Sequence, residues 1–291
     1  MRRNLWRPIA VVIILILTIG AFVNFFVTHP ATRQQLRQTT PTVLIELLAL
    51  YLIFMLSLGL IFQATLKLCR VTLPRQETLL VTMYSSIINF FGPLQSGPAF
   101  RGVYLKQKHH VSLKNYSAAT LAYYGFYALF SGLFLLSGLL GWWLVAIVVV
   151  SVGIFVGFRY VRLPIIRRFW RLNLHGLYAM ATATFIQIAI ITALFYIELR
   201  AVDPQVTLSQ TIVYTGAANF ALFVSITPGA IGFRESFLVL SQNLHHISNS
   251  TIVAANLLDR SAYISMLLIL VVIIFGTHAR RRLLHTAKKP S

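Results

Sequence analysis

The sequence predicts an all-α, polytopic membrane protein with about six transmembrane helices and two opposed re-entrant hairpins arranged as an inverted repeat. Composition, the length of the apolar runs and two Pro/Gly breaks with a shared spacing carry this expectation. Of the 291 residues, 57% are hydrophobic and only 11% are charged, against about 25% charged in a soluble domain. Mean hydropathy is +0.77. The 25 Lys and Arg outnumber the 6 Asp and Glu, for a net charge of +19. On a soluble surface that excess would suggest nucleic acid, but here the basic residues flank long apolar runs, so no nucleic-acid partner is expected. The single cysteine, Cys69, excludes a disulfide framework and a thiolate metal cluster.

Crossing about 30 Å of hydrocarbon takes roughly 20 helical residues. Runs of that kind lie at 9–27, 43–66, 117–138, 141–158, 175–198 and 252–276. The first follows Arg2, Arg3 and Arg7 in the manner of a signal peptide, but no small-residue cleavage site follows Phe25 and Phe26. Residues 1–28 are therefore expected to form an N-terminal anchor helix. The chain reads as one integral membrane domain over 1–291, with pseudo-repeat halves at 43–158 and 175–276 and a basic cytoplasmic tail at 277–291.

Two shorter apolar segments, 78–92 and 210–227, run into breaks at Pro93 to Pro98 and at Pro228, Gly229 and Gly232. Proline removes a helical donor and glycine loosens the backbone, so such a break inside lipid must be buried in protein or line a wet cavity. A kinked but complete helix is the other reading, and the positive-inside rule separates the two. If both segments return to the side they came from, 20 Lys and Arg face the cytoplasm. Arg33, Arg37, Arg200 and Arg234 lie outside and Arg260 lies within a span. If both cross, each side receives 12 and no bias remains. Hairpins follow, with both termini cytoplasmic and the protein in the cytoplasmic (inner) membrane.

The breaks also resemble each other. Pro93-x-x-x-Gly97 recurs as Pro228-x-x-x-Gly232 at an offset of 135, and His109-His110-Val111-Ser112 recurs as His245-His246-Ile247-Ser248 at an offset of 136. Asn89 precedes the first break and Asn219 the second. Paired broken helices in an inverted repeat point to a transport site near the membrane midplane.

The stretch Thr227-Pro228-Gly229-Ala230-Ile231-Gly232-Phe233-Arg234-Glu235 resembles the Pro-Gly-x-x-Gly-x-x-Glu signature of the lysylphosphatidylglycerol synthase transmembrane region family, also called the flippase-like domain family. Asp259-Arg260 in the following helix, and Asn89, Pro93, Gly97 and Arg101 in the first half, extend the resemblance. The chain departs from the family pattern at Phe100, and at Tyr123-Tyr124, where the repeat would place partners for Asp259-Arg260. The resemblance implies a stand-alone member lacking the aminoacyltransferase domain, moving a phospholipid or lipid-linked headgroup between leaflets.

Arg260 and Asp259 lie inside a span, where ionised side chains are costly and mark function. Together with Arg234, Glu235, Arg101, Asn89 and Asn219 they form the candidate substrate site. Arg260 and Arg234 would bind a lipid phosphate bidentately, Glu235 would set Arg260, and Asp259 would neutralise a cationic group or hold a second Arg. A buried Glu235–Arg260 pair that only fixes packing is the competing reading. The sequential histidine pairs lack metal-ligand spacing, so no metal and no cofactor are expected. The expected partners are membrane lipids, anionic or phosphate-bearing, with an oligomer or accessory-subunit role left open. A secondary transporter of a small polar solute and a membrane-embedded transferase acting on a lipid phosphate remain alternatives, although no P-loop, nucleophile elbow or paired catalytic carboxylates occur.

Overall fold

The computed structural model describes residues 40–91, 96–141, 173–224 and 233–287. The expected spans at 9–27 and 141–158, the N-terminal anchor, and Pro93, Pro228, Gly229 and Gly232 at the breaks lie outside the described residues. What is described is helical: α1 (Pro41–Leu68), α2 (Arg75–Phe91), α3 (Ser96–His109), α4 (Leu113–Leu140), α5 (Leu174–Val202), α6 (Leu208–Val224), α7 (Phe233–Leu240), α8 (Gln242–His245) and α9 (Asn249–Ala287). By length and composition α1, α4, α5 and α9 are each able to cross a membrane. At 28 residues α1 is about 42 Å long. The protein is an all-helical, multi-pass membrane protein. Leu56, Leu121, Phe185, Leu268 and Val272 stand exposed on these helices, as side chains facing lipid do.

Local sequence sets the helix ends. Pro41 starts α1 in the first turn, where its missing N–H is no loss. Arg70, with φ of 58°, ends that helix by a left-handed turn in which the Val71 N–H bonds the Leu66 carbonyl at 3.0 Å. The Asn173 side chain caps α5 by accepting from the Gly176 N–H at 2.9 Å, and donates to the Lys67 carbonyl at 3.0 Å. One amide thus ties the end of α1 to the start of α5, and the two helices run antiparallel. Buried hydroxyls such as Thr65, Thr184, Thr192 and Thr215 bond the carbonyl four residues back, which satisfies them without a partner helix.

The segments between the long helices fold back on themselves. In the first hairpin, α2 and α3 pack side by side, and Glu77 near the start of α2 meets Lys108 and His109 at the end of α3, at 3.0 and 2.7 Å. In the second, α6 returns through α7 and α8, and the Gln210 side chain donates to the His246 carbonyl at 3.4 Å. The open end of the first hairpin adjoins the C-terminus of α1 and the N-terminus of α4. That of the second adjoins the C-termini of α4 and α5, where Gly138 lies against Val213 and Leu244. Since α1 and α5 are antiparallel, the two hairpins open at opposite ends of the bundle.

Both open ends are built from the repeated histidine motif. His110 and His246 each take φ of 55°, Val111 and Ile247 are buried, and Ser112 and Ser248 each accept from the N–H three residues on at 3.2 Å. Two glycines permit contact that no side chain would, one between the two helices of the first hairpin and one between the second hairpin and α4. A Cβ on Gly97 would lie 2.6 Å from the Ser85 carbonyl oxygen, and one on Gly216 would lie 2.4 Å from the Leu135 backbone nitrogen.

Helix bounds exceed the expected spans at two places that matter. The last helix continues to Ala287, so the expected basic tail begins as helix. The fifth runs to Val202, which puts Glu198 within the helix and not at its edge. Arg234, counted with the outer residues from the charge pattern, is buried within the protein, at 8% exposure, beside the Asp259 carboxylate.

Candidate functional site

A cavity of about 290 Å³ lies between the hairpins and is lined from α1 to α7 and from α9. The first hairpin contributes Asn89 and Arg101, the second Asn219 and Arg234, and the last helix Asp259 and Arg260. These are the charged and amide residues that the sequence nominates, apart from Glu235, whose side chain lies outside the described residues. The structure brings the others to one wall-to-wall space, although Arg101 and Arg260 are 159 positions apart in the chain.

Around Asp259 the site is closely knit. Its Oδ2 receives Arg234 Nη2 at 2.8 Å, and its Oδ1 receives the Tyr51 hydroxyl. Arg234 Nη2 also donates to Asn256 Oδ1, and the guanidinium lies over the Phe195 ring, 5.1 Å from its centre. A buried ion pair of this kind holds only if both charges are well partnered. Asp259 is, at both oxygens. Arg260, next to it on the helix and pointing about 100° away, lines the cavity and acts electrostatically on both Asp259 and Glu198.

The other end of the cavity handles its cation differently. Arg101 on α3 has its Cζ 5.6 Å from the centre of the Phe62 ring, while its buried Nε has no hydrogen-bond partner among the described residues. No described carboxylate lies within ion-pairing distance of it. Such a guanidinium in a low-dielectric recess is set up to receive an anion. Asn89 is engaged structurally, its Oδ1 accepting from the Gly97 N–H at 3.2 Å across the break, and Asn219 Oδ1 accepts from the Tyr127 hydroxyl at 2.7 Å.

Between the two ends the wall is phenolic. Tyr116, Tyr123 and Tyr127 share a face of α4, with Tyr123 and Tyr127 ring centres 5.7 Å apart, and the Tyr123 hydroxyl donates to Gln187 at 3.0 Å. Tyr123 and Tyr124, which stand where the repeat would place a second Asp-Arg pair, line the same cavity as Asp259 and Arg260. Sequence reasoning passed over Tyr51, Gln187, Asn256 and Glu198. The spacing of Tyr116, Tyr123 and Tyr127 is legible as one helical face. Glu198 is legible only as an acid inside a span, and the assumed end of the span at 198 concealed it.

Outside the membrane-spanning helices one cluster shows how charge is managed at a hairpin end. Partial burial acts to raise the Glu77 carboxyl, but hydrogen bonds from Tyr104, His109 and Lys108 outweigh it and hold the group at about 2. Among the described residues no group of His, Cys, Asp and Glu has the makings of a metal site.

The profile of the family described as Lysylphosphatidylglycerol synthase TM region matches residues 9–271. Among curated proteins none matches the chain. With nearly its whole length matched, the chain belongs to that family.

Proposed function

We propose that this member of the Lysylphosphatidylglycerol synthase TM region family is a flippase-like transporter that moves the headgroup of an anionic or phosphate-bearing lipid between leaflets. The observation that carries the reading is the shared cavity, with Arg101 contributed by one hairpin and Arg260 lying beside the other. At about 290 Å³ it is at the small end of ligand pockets. A phosphate ester fits, whereas acyl chains do not, so the chains stay in the bilayer while the headgroup passes inside.

In this reading the hairpins are re-entrant, the first from the cytoplasm and the second from the opposite face, and the halves form an inverted repeat. The opposed open ends, the repeated left-handed histidines and the 20 basic residues assigned to the cytoplasmic side support it. Both termini are then cytoplasmic, and the inner membrane is the natural setting. Arg101 receives a headgroup phosphate from the cytoplasmic side. The tyrosine wall offers hydroxyls along the path, and Arg260 takes the phosphate next. Arg234 is held by Asp259 and keeps the second hairpin closed on α9.

Leaflet exchange of headgroup-labelled phosphatidylglycerol in proteoliposomes tests this directly. Wild type exchanges lipid, and Arg101→Gln at matched density is slower by roughly 10- to 100-fold, the worth of a hydrogen-bonded charge. Unchanged exchange in Arg101→Gln, or no exchange by wild type, contradicts the reading.

A further inference from the structure

The two repeated turns differ in the group that holds their buried residue. At the end of the first hairpin the Val111 N–H bonds the Leu105 carbonyl at 3.2 Å, an acceptor that does not titrate near neutral pH. At the end of the second, the Ile247 N–H bonds Nδ1 of His245 at 3.1 Å. Nε2 of the same ring lies 3.0 Å from the Leu238 carbonyl on α7. A backbone N–H donates and a carbonyl accepts, so the ring is the neutral tautomer with its proton on Nε2. A second proton would occupy the lone pair that the Ile247 N–H uses and set two donors against each other.

His245 is fully buried, although His246 beside it is exposed, and it does not line the cavity. Tyr214 of α6 meets its ring edge to face, with centres 5.5 Å apart. From α4, residues 131–140 approach α8 and hold no titratable side chain. From α7 come Arg234, paired with Asp259 at 2.8 Å, and Glu235, whose side chain lies outside the described residues. Backbone groups take both ring nitrogens, so none of these side chains holds the ring in their place. His109, at the same point of the repeat, is set the opposite way. Its Nε2 bonds the Glu77 carboxylate at 2.7 Å, a contact that a protonated ring keeps.

We propose that His245 is an acid-release latch on the second hairpin. Proton uptake at Nδ1 frees the Ile247 N–H, undoes the left-handed turn at His246 and loosens α8 from α7. Acid on the face where this hairpin opens therefore unfastens it and leaves the first hairpin fastened. The step makes one N–H bond and changes no oxidation state. It takes place at the hairpin end and works whether or not the cavity carries lipid. Burial holds the ring below its ordinary value of 6.5. The contribution of the neutral ring is thus complete above that ordinary value and is lost as pH falls below it.

Hydrogen exchange of the full chain in detergent, read by mass spectrometry on peptides containing Ile247 or Val111, tests the latch. Once the intrinsic pH dependence of amide exchange is divided out, the Ile247 peptide is expected to lose protection by ~10-fold per pH unit below the ordinary histidine value. The Val111 peptide keeps its protection over the same range. In His245→Asn, whose amide oxygen accepts from the Ile247 N–H without titrating, the loss disappears. Equal pH profiles for the two wild-type peptides, or a loss that survives in His245→Asn, overturns the proposal. Should His245→Asn fail to fold, the comparison of the two wild-type peptides still decides.

Discussion

At the open end of the first hairpin, His110 turns left-handed, Val111 buries itself and the Ser112 hydroxyl caps α4. At the open end of the second, His246, Ile247 and Ser248 do the same for α9. The arginines that follow the two breaks nevertheless differ. Arg234 is engaged by Asp259, Asn256 and Phe195, whereas Arg101 meets an aromatic ring and no described carboxylate. One backbone device thus carries two electrostatic settings, an arginine locked in a buried ion pair and an arginine that lies against an aromatic ring with its Nε unpartnered among the described residues. The difference follows from the helix that each hairpin faces. Asp259 sits on α9, and the position the repeat assigns to its counterpart on α4 is Tyr123.

The sharpest way to break this contrast is to remove each arginine in turn. Arg234→Ala strands Asp259 and is expected to lose about 3–5 kcal/mol of stability, whereas Arg101→Ala loses about 1 kcal/mol or less, the worth of a cation–π contact. Thermal unfolding of the purified variants in one detergent reads both. Equal losses would erase the distinction. Next in size, Gly97→Ala forces a Cβ against the Ser85 carbonyl, and the strain of overpacking is about 1–3 kcal/mol, read as lowered thermal stability and slowed lipid exchange. The caps test the likeness and not the difference. Ser112→Ala and Ser248→Ala are expected to cost about 1 kcal/mol each, and clearly unequal values would show that the two turns are not equivalent.

The smallest effect is at Glu77, which has no counterpart in the second hairpin. Its folded carboxyl is held down at about 2 against an ordinary 4.5. Its contribution is therefore fully present above that ordinary value and is lost as pH falls through it toward about 2. Exposed pairs of this kind are worth under about 1 kcal/mol. Stability followed from neutral pH into acid should show this loss in wild type, and a correspondingly flatter acid limb in Glu77→Gln.

Much of this was legible in the chain. Apolar length alone locates α1, α4, α5 and α9, because a helix that crosses lipid announces itself by composition. The hairpins required a second argument, since α2 and α6, at 17 residues each, are at the short limit of a span and only the count of flanking positive charge favoured their return to the same side. Asp259, Arg260 and Arg101 stood out because ionised groups are scarce among apolar neighbours. What the sequence could not pair was Arg234 with Asp259, which are 25 positions apart on elements whose rotation depends on packing. Glu235, the partner expected for Arg260, falls outside the described side chains. Tyr51 and Glu198 come to Asp259 from helices with no motif of their own, and proximity of that kind is a property of the fold.

In the proposed arrangement the two hairpins enter from opposite faces and share one cavity. In Cys69→Ala protein, single cysteines at Lys108, on the exposed end of the first hairpin, and at His246, on the exposed end of the second, report the two faces. With a membrane-impermeant maleimide added outside sealed, uniformly oriented vesicles, one position should label and the other only after the vesicles are opened. Labelling of both from the same side would contradict the account.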